Sequence, residues 1–242
     1  SVLKRYSHGH VVILDPHNEY SRCFGDLGVV FDASNFSLPY WMLTFEEFIQ
    51  VLYPSREGYD EEIEILADLI PAAKKIHASA GGSRMVAERR SEAGAITVDT
   101  PTPYRISEVL TLIDKALGGL DSTRSIAPYK RLRARLFAVS QDARYGFMFG
   151  GLTVQDTMAN FLSTLFRIPV DGRPVSIIEL AGLPGEVAQV VVCVTARLAF
   201  EFGLWSNGAA PIAIICEDAH RYAPANKDAG FAPTRKALAR IA

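Results

Sequence analysis

Short apolar runs that stop at acids open and close this chain, and helical spacing fills the middle. His10-Val11-Val12-Ile13-Leu14-Asp15 is rich in β-branched residues and halted by Pro16, which predicts a buried strand ending in a carboxylate. Val29-Val30-Phe31-Asp32 repeats the design on a smaller scale. The period then changes. Phe45, Phe48, Ile49 and Leu52 share one helix face, and Thr44 with Glu47 forms a capping box ahead of it. A second helix is predicted from about Asp60 to Ala78, with Pro71 expected to kink or break it. Ser79–Thr100 holds Gly81-Gly82, Gly94 and many charges, and is expected to be a mobile surface loop. Ile106, Val109, Leu110, Ile113 and Leu117 mark a helix stopped by Gly118-Gly119. Another helix is predicted from Ile126 to Gln141. A third is expected to start at Thr153, with Asp156 at its third position, and to bury Met158, Phe161, Leu162 and Leu165.

The last third alternates. Val175–Leu180 reads as a strand, and Leu183-Pro184-Gly185 turns into a long helix through Val187, Val190, Val191, Val194 and Leu198. Ile212-Ala213-Ile214-Ile215-Cys216 is a near-continuous apolar strand ending in Glu217-Asp218. Strand, crossover helix and strand of this length predict an α/β fold with a parallel sheet covered on both faces. The organisation expected is a core of residues 1–43 and 171–242 interrupted by a helical insertion at 44–170.

Composition narrows the class. Of 242 residues, 49% are hydrophobic and 21% charged, enough to bury a sizeable core. No run approaches the ~18 uninterrupted apolar residues of a membrane span, and the first residues have no signal-peptide h-region, so no membrane association is expected. Three cysteines, Cys23, Cys193 and Cys216, lie far apart, which argues against a disulfide framework or zinc site and for a reducing, cytoplasmic setting. Residues 1–100 carry nine Lys and Arg against fifteen Asp and Glu, whereas the remainder carries sixteen against twelve. The densest basic run, Lys130-Arg131-Leu132-Arg133-Ala134-Arg135, reads first as a solvated helix face rather than a nucleic-acid patch.

Glu217 and Asp218 carry the strongest chemical signal. Adjacent carboxylates after a buried parallel strand lie where open α/β sheets bind ligands, and have the form of a Walker B strand. The first acid can hold a Mg²⁺-bound water, and the second can orient or deprotonate an attacking water. Equally, they could mark only the exit of the strand to solvent. Asp15-Pro16-His17-Asn18-Glu19-Tyr20 sets Asp15 and Glu19 just past another strand. Glu19 could reach the edge that holds Glu217, while an Asx turn accounts for Asp15 and Asn18 without any chemistry. Glu179 ends a third strand and is expected at the same edge. His17 and His220 lack metal-like spacing and read as polar loop residues. No G-x-x-x-x-G-K-[ST] loop, G-x-G-x-x-G or G-x-S-x-G occurs, so dinucleotide-binding and hydrolase readings have no support.

Several segments together resemble the HerA branch of the HerA/FtsK superfamily of ring-forming P-loop ATPases. Val12–Tyr20 resembles its strand ending D-P-H-G-E-Y, with Asn18 in place of Gly. Leu38-Pro39-Tyr40-Trp41-Met42-Leu43 with Glu46-Glu47, then Val175–Glu186, resemble two further family stretches. Ile214–Pro224 resembles its E-E-A-H Walker B, with the shorter Asp218 where Glu is usual. The resemblance implies a RecA-like core that binds ATP and Mg²⁺ and translocates duplex DNA as a hexameric ring, often with a nuclease or other effector subunit. It implies Asp218 as catalytic base, Glu19 as accessory acid, Glu217 on Mg²⁺ through water, and Asp15 at the cofactor edge, fixing the turn. The family's phosphate loop would precede Ser1, so these residues alone are expected to bind ATP weakly. The competing expectation is a non-catalytic ring-forming scaffold that keeps the fold without the activity.

Overall fold

A computed structural model describes residues 8–80, 96–119, 125–150, 154–226 and 230–242. In chain order its main elements begin with β1 (His10–Asp15), β2 (Gly28–Phe31), α1 (Phe45–Leu52), α2 (Asp60–Ala80) and α3 (Ile106–Gly119). They continue with α4 (Ala127–Gln141), α5 (Gly146–Phe149), α6 (Met158–Leu165), β3 (Val175–Glu179), α7 (Gly185–Trp205), β4 (Ile212–Cys216) and α8 (Ala232–Ile241). Two compact units result, one of residues 1–38 and 157–242, the other of residues 39–156.

The first unit is the α/β core that the pattern predicts. Its four strands are parallel in the order β2-β3-β1-β4. β3, α7 and β4 form the parallel crossover unit expected from the sequence, and β1 lies between the two strands, pairing Ile13 with Ile177 on one side and with Ile215 on the other. Side chains alternate across the sheet. On one face Ile13, Val175 and Ile177 pack with Val11, Val30, Tyr20 and Phe24, so the loop after β1 folds back as a cover. On the other face Val12, Leu14, Ser176 and Ile178 are buried, and the Ser176 hydroxyl donates to the Leu165 carbonyl of α6 at 2.6 Å. β4 was expected to be buried on both sides. It is the outer strand in the observed order, and Ala213 and Ile215 are exposed, Ile215 to 48%.

α7 is a core helix. Its 21 residues are long and apolar enough to cross a membrane, yet 61% of its most apolar stretch is buried inside the protein. Val187, Val190, Val191, Val194 and Leu198 are all buried, and α8 packs along it, with Thr234 donating to the Gln189 carbonyl at 3.0 Å. α6 begins at Met158 rather than Thr153: residues 154–157 are not helical, and Thr153 lies outside the described residues.

In the second unit the capping box at α1 forms as predicted, with Thr44 Oγ1 accepting from Glu47 N and Glu47 Oε2 accepting from Thr44 N. α2 runs on through Pro71 without a break. Proline in a helix interior costs about 3 kcal/mol, and buried Leu66, Ile70 and Ala73 on either side hold the helix against it. Of the loop expected at 79–100, residues 81–95 lie outside the described residues, but its end is firmly held. Lys74, 1% exposed, donates through Nζ to the carbonyls of Thr97, Val98 and Thr100 at 3.3, 2.6 and 2.6 Å. Burial pushes its ammonium down to about 8, opposed by the charge of Asp99. The basic run on α4 is largely spent within the unit. Arg131 pairs with Glu62, Arg133 Nε with Asp114 at 2.6 Å, and Arg135 Nε with the Leu52 carbonyl at 2.6 Å.

Candidate active site

Because the strands are parallel, their C-terminal ends share one edge, and acids from distant parts of the chain meet there. Asp15 pairs in register with Glu179 across β1 and β3. Hydrogen bonding continues one step beyond the strands: Leu180 N donates to the Asp15 carbonyl at 2.9 Å, and Glu217 N to the Leu14 carbonyl at 3.3 Å. Glu179, Asp15 and Glu217 therefore end three adjacent strands, each ~4.8 Å from the next.

The loop Asp15–Tyr20 arranges this edge. Asp15 is fully buried, and its two carboxylate oxygens accept the backbone N–H groups of His17 at 3.2 Å and Tyr20 at 2.8 Å. Asn18 takes the left-handed conformation, φ 58°, a turn that Gly or Asn adopts readily. Its Oδ1 accepts from Ala181 N at 3.2 Å, which ties the loop to the turn after β3. Two side chains of the loop reach across to the end of β4. The Tyr20 hydroxyl donates to Glu217 Oε1 at 3.2 Å, and His17 Nε2 lies 3.0 Å from Asp218 Oδ2.

The electrostatics follow from these contacts. The hydrogen bond to Glu217, and then its charge, raise the Tyr20 phenol above its ordinary value. The His17 bond holds the Asp218 carboxyl below the usual range against desolvation, with the charges of His220 and Arg221 adding smaller contributions. Glu217 Oε2 is buried with no hydrogen-bond partner. Among the described residues no group of three or more His, Cys, Asp or Glu side chains converges on a metal. One carboxylate with a free oxygen suits Mg²⁺, which keeps most of its waters and takes its other ligands from phosphate. Beside the edge, Asn18, Asp32, Ser34, Glu179, Gly182 and Leu183 line a cleft of about 240 Å³.

Each residue singled out in the sequence thus has a place. Asp15, Glu179 and Glu217 are neighbours, and Asp218 follows in a left-handed turn at φ 48°. Glu19 is on the same loop but exposed, and Tyr20 rather than Glu19 makes the contact to Glu217. His17, read from sequence as a plain loop residue, is the partner of Asp218. The signal for Tyr20 was present, because an aromatic ring in a polar loop needs a surface to pack on. Nothing in local spacing links His17 to a residue 201 positions away.

Compared with protein families, residues 2–199 match the model described as helicase HerA, central domain. A search of curated proteins found no match.

Proposed function

Since the chain belongs to the family of the HerA central domain, an ATPase-type motor family, we propose that it forms the ATP-hydrolysing core of a HerA-like DNA translocase. The intact protein would act in the cytoplasm as a hexameric ring on duplex DNA, alongside a nuclease or other effector subunit. The observation that supports this most is the row of strand-end acids whose outermost member, Glu217, keeps a buried carboxylate oxygen unpartnered.

The roles that the resemblance implies are compatible with this geometry. Tyr20 holds one oxygen of Glu217, and the other, buried and unpartnered, is the one that would accept from a water of hydrated Mg²⁺. Asp218 accepts or orients the proton of the attacking water, since phosphoryl transfer needs positioning and charge stabilisation more than covalent chemistry from the protein. Glu19, exposed on the β1 loop, would be an accessory acid near the transferred phosphate. Asp15 shapes the loop that carries them. Mg²⁺, when bound, neutralises charge developing on the phosphate oxygens.

Steady-state ATPase assays on the full-length protein, with and without duplex DNA, test the reading. Asp218→Asn keeps size and loses charge, so turnover should fall by about 10²-fold, in the range for loss of a general base, while nucleotide affinity changes little. Wild-type turnover in Asp218→Asn refutes its role. A wild type with no turnover favours the scaffold, a reading that the shortened acid Asp218 already motivates.

A further inference from the structure

We propose that His17 is a positioning residue for Asp218, setting the direction of its carboxylate toward the reacting water; the inference rests on the ATPase reading of this edge. Asp218 needs such a partner. It sits in a left-handed turn (φ 48°, ψ 41°), and its side chain caps no N–H of the short helix that follows. It is 38% exposed, so nothing in its surroundings confines it to one rotamer. Among the described residues its carboxylate has one hydrogen bond, to His17 Nε2 at 3.0 Å. His220 Nδ1 stands 4.0 Å from the other oxygen on a side chain 78% exposed, too remote and too mobile to orient it.

His17, in contrast, has an anchored backbone, and its imidazole, 47% exposed, makes its hydrogen bond to Asp218. Its backbone N–H is bound by the fully buried carboxylate of Asp15, and the next residue, Asn18, is tied to Ala181 N. The chain of support runs from the sheet through Asp15 to the His17 backbone, and from the imidazole to the acid. Outer partners that orient metal ligands typically cost 10- to 100-fold in activity when lost, and an effect of that order is expected for an acid oriented in the same way. The shorter Asp218 makes orientation matter more, because one fewer methylene leaves fewer rotamers that reach the water.

Two substitutions in the full-length protein test this. His17→Ala should lower kcat about tenfold or more, with the KM for ATP within about twofold of wild type. His17→Gln places an amide N–H where Nε2 was and should restore kcat to within about threefold of wild type. His220→Ala is the comparison and should lower turnover much less than His17→Ala does. A readout independent of nucleotide is the Asp218 χ1 rotamer, from scalar couplings in the nucleotide-free protein. It should be single in wild type and His17→Gln, and averaged in His17→Ala. The proposal is overturned if His17→Ala matches or exceeds wild-type kcat, if His17→Gln is as slow as His17→Ala, or if the rotamer stays single in His17→Ala. Should Asp218→Asn keep full turnover, or wild type have none, the underlying ATPase assignment fails instead and this one falls with it.

Discussion

Asp15→Asn isolates the loop clamp on which the candidate site depends. The carboxylate accepts two N–H groups, from His17 at 3.2 Å and Tyr20 at 2.8 Å, and it does so fully buried. Asparagine has the same shape but one oxygen and one NH₂. One N–H then faces a donor instead of an acceptor, and the other keeps only a neutral bond. Bonds to charged groups contribute about 1.5–3 kcal/mol and neutral ones about 0.5–1.5. Relief from burying a charge offsets part of the loss. A net loss of about 3 kcal/mol is expected, which lowers the unfolding temperature by roughly 6–12 °C for a domain of this size. Differential scanning calorimetry measures it, and amide hydrogen exchange at His17 and Tyr20 localises it. Turnover in the full-length protein should fall as well, since the same loop presents both His17 and Tyr20. A variant that melts with wild type and exchanges these two amides at the wild-type rate would refute the clamp.

Other outcomes follow from the same contacts. Tyr20→Phe keeps the ring packed on Ile13, Val175 and Ile177 but removes the donor to Glu217. The Mg²⁺ concentration for half-maximal ATPase should rise severalfold, up to about tenfold, and a Mg²⁺ titration equal to wild type counts against the role given to Glu217. Glu217→Gln should lower both rate and Mg²⁺ response, read in the same titration. Lys74→Met keeps volume but removes the ammonium donor to three carbonyls, two of which, Thr97 and Thr100, still accept a backbone N–H. Thermal unfolding should show a loss of about 3 kcal/mol, with faster exchange confined first to residues 97–100.

Much of this was legible because local rules decide it. Apolar runs ending in acids gave the strands, and Thr44 with Glu47 gave the start of α1, since capping is settled within four residues. The contiguous motifs, Val12–Tyr20 above all, pointed to the HerA family. What escaped depends on distant partners. Lys74 looked like an ordinary charged residue in a helix, and only the folded chain brings three carbonyls around it. α2 stays helical through Pro71, supported by the buried neighbours Leu66, Ile70 and Ala73. β4 read as fully buried because apolar content alone does not reveal a place at the outside of the sheet. His17 met Asp218 through strand order, and strand order is not written in spacing.

Register is the deeper condition on the site. Asp15 and Glu179 stand side by side only because Val11 pairs with Val175 and every step between them holds. Residues paired this way project to the same face, and a slip by one position would send the whole of β3 to the opposite face. Ser176 forbids the slip. Its hydroxyl is fully buried and bonded to the Leu165 carbonyl, on the face away from Ile13, Val175 and Ile177. Shifted by one, that hydroxyl would enter the apolar cluster unpaired, costing about 1–3 kcal/mol, and Ile177 would leave the cluster for the place of a serine. One buried serine, remote from any chemistry, therefore helps to keep the strand-end acids aligned. The helical unit enters the chain between β2 and β3, yet Gly28 still pairs with Val175. The alignment of the acids is thus fixed by side-chain alternation within the sheet, whatever length of chain the connection contains.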